Sequence, residues 1–140
     1  MGHVANVWGG AHRDRELRVA KILCVDDEPG AVSTKRVILE NAGHEVVSCG
    51  SAEEAIHALE GTTFDAVVTD WRLGEERGRA VVEAVKAHSS APVVVVSGYV
   101  SEAFKAAEPL ADLYLEKPVD PQELVQVVNA LLRARSGEVV

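Results

Sequence analysis

Basic residues are scarce in this chain. Its 14 lysines and arginines face 22 aspartates and glutamates, giving a formal net charge of −8 and a sequence pI of about 5.1. Nucleic acid is held by a basic face, so this chain alone is not expected to bind it. Long apolar runs are missing too. None approaches the ~18 residues of a membrane span, and the N-terminus lacks the apolar core of a signal peptide. Gly2 is not followed by the serine or threonine of a myristoylation signal. Membrane contact is therefore not expected. Two cysteines, Cys24 and Cys49, are too few for a disulfide scaffold. Both border apolar strand-like runs and read as reduced packing residues of a cytoplasmic protein.

What is present is ordinary soluble material, 47% apolar and 26% charged over 140 residues. That length suits one domain, which would bury roughly 68–70% of its unfolded surface. The chain centres on Phe64-Asp-Ala-Val-Val-Thr-Asp70, a valine-rich run ending on an acid. Adjacent Val67 and Val68 make both strand faces apolar, as in a central parallel strand. Four other runs share its character: Lys21–Val25, Glu45–Ser48, Pro92–Val96 and Leu113–Leu115.

Helical patterns fill the gaps between strands. One runs from Pro29 to about Ala42 and stops at Gly43, with Val32, Leu39 and Ala42 inward and Lys35, Arg36 and Glu40 towards water. Ser51-Ala-Glu-Glu54 is a capping box opening a second helix that stops at Gly61. A third covers Ala80–Ala87, and a weak fourth runs from about Ser101 to Ala107. The fifth follows the cap Asp120-Pro-Gln-Glu123, with Leu124, Val127, Val128, Leu131 and Leu132 on its apolar face. Residues 1–18 read as a flexible extension, 19–135 as one domain and 136–140 as a tail.

Strands alternating with helices predict an α/β fold: a doubly wound five-stranded parallel sheet with helices on both faces. The flavodoxin-like order 2-1-3-4-5 is the economical topology. In that order Asp26 and Asp27, after strand 1, meet Asp70, after strand 3, at the carboxyl edge of the sheet. Clustered carboxylates repel unless something positive neutralises them. A hard divalent cation such as Mg²⁺ and the ammonium of Lys117, after strand 5, are the candidates. Ser97, after strand 4, adds a hydroxyl. A carboxylate can attack phosphorus and carry an aspartyl-phosphate, while Mg²⁺, Lys117 and Ser97 stabilise charge on the equatorial oxygens. No histidine is needed as base, and His3, His12, His44, His57 and His88 all read as surface residues.

These residues make the chain resemble the receiver domain of two-component response regulators over about residues 19–135. Asp26-Asp27, Asp70, Ser97-Gly98 and Lys117-Pro118 carry the resemblance, in order and at strand ends. It implies that Asp70 is the phosphoacceptor, with Lys117 and Ser97 at the phosphoryl group. Asp27 and Asp70 would bind Mg²⁺, Asp26 would act largely through water, and the backbone carbonyl of Arg72 would be a further ligand. Tyr114 matches the aromatic that turns inward on activation, Gly78 the glycine of the loop after the acceptor, and Pro118 a residue often preceded by a cis peptide bond. Gly74 departs from the usual proline, and Trp71 is bulkier than usual. Arg72 and Tyr99 would flank the phosphoryl group and slow its hydrolysis.

The expected function is a phosphorylation switch rather than an enzyme. Its phosphodonor would be a histidine kinase or histidine phosphotransfer protein. Its downstream partner would dock on the face made by the fourth helix, fifth strand and fifth helix. With only five residues after the last helix, the chain reads as a stand-alone receiver or as one cut from a larger protein. The Ser97-Gly-Tyr99 turn resembles receivers attached to hybrid histidine kinases. A haloacid-dehalogenase-like phosphatase would need a second acid two residues after its nucleophile, where Asp70 is followed by Arg72 and Asp26 by Glu28.

Overall fold

The computed structural model describes residues 19–73, 78–98, 103 and 111–135. Five parallel strands form one sheet in the order β2-β1-β3-β4-β5. They are β1 Lys21–Val25, β2 Glu45–Cys49, β3 Ala66–Asp70, β4 Val93–Ser97 and β5 Leu113–Glu116. The described helices are α1 Pro29–Asn41, α2 Ala52–Gly61, α3 Gly78–His88 and α4 Pro121–Arg135. Apart from the buried Ala103, the segment expected as a weak fourth helix lies outside the described residues.

The strand sequences dictate the layers. Side chains alternate across a strand, so a strand apolar at every position must be covered twice. Ile22, Cys24, Ala66, Val68, Val94 and Val96 pack with Leu39 of α1 and with Leu124 and Val128 of α4. Leu23, Val25, Val67, Val93 and Val95 pack on the other face with Leu59 of α2 and with Val81, Val82 and Val85 of α3. Every residue of β3 and β4 is buried. The expected doubly wound fold and its strand order are both present.

Local signals start and stop the helices where the chain must turn. Pro29 opens α1. Its end is a Schellman motif in which the His44 N–H donates to the Leu39 carbonyl at 3.2 Å and the Gly43 N–H to that of Glu40 at 2.9 Å. Gly43 supplies the positive φ of 99° that this turn needs. At α2 the Glu54 N–H donates to Ser51 Oγ at 3.1 Å, as a capping box requires. The Glu54 carboxylate reaches back one residue further than in the standard box, accepting from the Gly50 N–H at 2.8 Å. Asp120 caps α4 by accepting from the Gln122 N–H at 3.1 Å.

Three side chains lie elsewhere than their sequence suggests. Ala42 is exposed rather than inward, because α1 ends at Asn41 and the last turn of its stripe is never made. His44 is half-buried rather than on the surface, its Nε2 2.8 Å from Asn129 Oδ1 of α4. The Schellman turn folds it back against that helix. Lys35, expected in water, is 7% exposed. It lies three residues after Val32 and four before Leu39, on the same helical stripe, and so points into the molecule.

Candidate functional site

The parallel register brings four strand ends to one edge. Asp70 pairs with Val96, so Ser97 lies one residue beyond it on the neighbouring strand. Ser97 pairs in turn with Glu116, which places Lys117 just past the end of β5. The backbone locks this rim: the Trp71 N–H donates to the Val96 carbonyl at 3.0 Å and the Lys117 N–H to that of Ser97 at 2.9 Å. On the other side of β3, the Asp26 N–H donates to the Cys49 carbonyl at 3.1 Å.

Asp26, Asp27 and Asp70 each offer a carboxylate oxygen, and these oxygens lie within 4.8 Å of one another. Asp26 and Asp70 are buried, whereas Asp27 is exposed. Such a cluster, made only of oxygen donors and open on one side, fits a hard divalent cation that keeps part of its water shell. Asp70 is held from two directions. Its Oδ2 accepts from Lys117 Nζ at 2.8 Å, and its Oδ1 accepts from the Arg72 N–H at 3.2 Å. Partial burial pulls the Lys117 ammonium down, but its hydrogen bond to Asp70 and the charges of Asp70, Asp26 and Glu28 outweigh it. The net shift is upward, so Lys117 stays charged at neutral pH. The Lys117–Pro118 peptide bond is cis.

The other expected residues fall as follows. Ser97 is 2% exposed, at the end of β4. Tyr114 is half-buried on β5 and packs on the cluster that holds α2 and α3. Arg72 is exposed beside Asp70. Trp71 takes the packing role rather than a surface one, 3% exposed among core residues. Tyr99 and Gly74 lie outside the described residues, as do His3 and His12. His57 and His88 are exposed, as expected. Both cysteines are free, and burial pushes the Cys24 thiol up to about 12, which leaves it protonated and unreactive at neutral pH.

Lys35 joins the site without a sequence motif to mark it. Its Nζ is 2.6 Å from Asp26 Oδ2, and the remaining Asp26 oxygen accepts from the Glu28 N–H at 3.0 Å. The available signal is a charged residue on the buried stripe of α1, nine residues after the acid at the end of β1.

A family model described as the response regulator receiver domain matches residues 22–129. The chain belongs to that family. It is 32% identical over 119 residues to the sensor protein GacS of Pseudomonas syringae pv. syringae, covering 79% of this chain and 13% of GacS. It is 34% identical over 131 residues to the alginate biosynthesis transcriptional regulatory protein AlgB of Pseudomonas syringae pv. tomato, covering 85% of this chain and 29% of AlgB. The chain thus spans less than a third of the length of either relative. Among solved structures it is similar to a CheY-like response regulator receiver domain from Methylobacillus flagellatus, with a TM-score of 0.74 and 31% identity. That match covers 81% of this chain and 99% of the other.

Proposed function

We propose that Asp70 accepts a phosphoryl group from a phosphohistidine of a histidine kinase or histidine phosphotransfer protein, and that the new charge switches a protein-interaction surface. One observation carries this assignment: Asp70 is buried at the carboxyl edge of the sheet, held by Lys117 at 2.8 Å and grouped with Asp26 and Asp27. In the transfer, an Asp70 oxygen bonds to phosphorus as the donor's P–N bond breaks. The imidazole leaves with the electron pair and takes its proton from water. Lys117 and the Ser97 hydroxyl are positioned to stabilise the charge that spreads over the equatorial oxygens. Asp27, Asp70 and the Arg72 carbonyl would hold Mg²⁺, with Asp26 acting through water. When bound, the ion supplies charge neutralisation to the phosphoryl oxygens.

The domain, residues 19–135, acts as a signalling part that assists only its own phosphorylation and dephosphorylation. Ser97 moving to the phosphoryl oxygens vacates space for the Tyr114 ring, which repacks the surface at β5 and α4. Its setting is the cytoplasm. Arg72, exposed beside Asp70, shields the phosphoryl group from water. The match to a sensor protein favours a second setting, in which this receiver belongs to a hybrid histidine kinase. The test of the assignment is phosphoryl uptake from acetyl phosphate with Mg²⁺, read by intact-protein mass spectrometry. Asp70→Asn is expected to abolish uptake. Undiminished labelling of the mutant would refute the assignment.

A further inference from the structure

The acid cluster contains an ammonium that the phosphoryl chemistry leaves unused. Lys35 reaches out of α1 with 9% side-chain exposure, and its Nζ lies 2.6 Å from an Asp26 whose own side chain is 1% exposed. Sinking an ion pair this deep costs desolvation on both sides, which a leucine or methionine on the same stripe would not incur. The charge is therefore poorly explained as packing, and its position beside the cation site is where it has an effect. The geometry points to Lys35 as a positioning residue and fixed counter-charge that lowers the chain's affinity for a divalent cation before phosphorylation.

Two features of the site support this role. Both Asp26 oxygens already accept a hydrogen bond, one from Lys35 and one from the Glu28 N–H. A cation that draws Asp26 closer must therefore compete with the Lys35 bond. The charge balance follows from the same contacts. Lys35 and Lys117 each set one positive charge against the three carboxylates, so removing Lys35 makes the site one charge more negative towards an incoming cation. Glu28 adds to the negative field around Lys117 in either case. Burial at Asp26 keeps solvent from screening the difference. A weakly held cation then binds firmly only once the phosphoryl group adds its own charge, so cation occupancy and phosphorylation become coupled.

The inference rests on the Mg²⁺ site proposed above, and the experiment separates the two. The full chain and its Lys35→Met, Lys35→Gln and Lys35→Arg forms are titrated with Mg²⁺ by calorimetry, with Asp27→Asn as control. Glutamine keeps a donor for Asp26, which protects the fold if methionine leaves the buried carboxylate unsatisfied. The expected result is a Kd lower by on the order of tenfold in the Met and Gln forms, with the Arg form close to the parent chain. Thermal midpoints in rising Mg²⁺ give a second readout, with a larger increment expected in the neutral variants. A purely structural Lys35 would loosen the site and weaken binding when replaced. Unchanged or weaker binding in both neutral variants therefore overturns the role of Lys35. Titrations that are silent in every form, or indifferent to Asp27→Asn, overturn the cation site and the inference with it.

Discussion

Gly78 shows how closely the backbone is packed around Asp70. A Cβ at this position would lie 2.5 Å from the Asp70 carbonyl oxygen, and it would press on the Trp71 carbonyl as well. Both obstacles are main-chain atoms, so no rotamer change relieves them. The Gly78 N–H also donates to the Trp71 carbonyl at 3.0 Å, tying the start of α3 to the residue after the acceptor. Gly78→Ala is expected to lower stability by about 1–3 kcal/mol in urea unfolding. It should also slow phosphoryl uptake from acetyl phosphate, because relief of the clash displaces the Asp70 peptide. Unchanged stability and uptake would mean that α3 shifts away at no cost. The neighbouring Trp71 illustrates the reverse case. Its bulk beside Asp70 is absorbed by the core, with the indole Nε1 buried and making no hydrogen bond among the described residues.

Among the elements, strands and caps follow local rules and can be tested singly. Ser51→Ala removes the acceptor of the Glu54 N–H and is expected to cost about 1 kcal/mol, read as a shift in the urea midpoint at constant slope. The same locality explains what could be read from the sequence. Val93 to Val96 admit only a strand covered on both faces, and Asp70 ends such a strand, so sheet order and the meeting of Asp26, Asp27, Asp70 and Lys117 followed from topology. Boundaries were less exact, since α3 begins at Gly78 rather than Ala80. Lys35 alone on its helix belongs in water, a lysine's intrinsic preference. Its burial depends on Asp26, a partner supplied by another element, and no helical periodicity contains that information. His44 departs from its expected surface position for the same reason, its partner Asn129 lying on α4.

At the scale of the whole molecule, the last helix closes the fold at the edge opposite the acids. Arg135 donates from Nη1 to the carbonyls of Phe64 and Asp65 at 3.4 and 3.1 Å, and from Nη2 to Ser90 Oγ at 3.3 Å. A fragment of residues 19–135 is expected to unfold with the same urea midpoint as the 140-residue chain. Adding Arg135→Ala to it should cost on the order of 1 kcal/mol. A lower midpoint for the fragment alone would show that the flanking residues belong to the folding unit. The two ion pairs of the acid rim differ in reach: Lys35 and Asp26 are 9 residues apart, whereas Lys117 and Asp70 are 47 apart. A ribosome releasing this chain therefore completes the first pair early, within a single strand–helix segment. Asp70 must wait for 47 further residues to emerge before its own ammonium arrives, so nascent chains halted short of β5 would carry this carboxylate already exposed to solvent cations but still without its lysine.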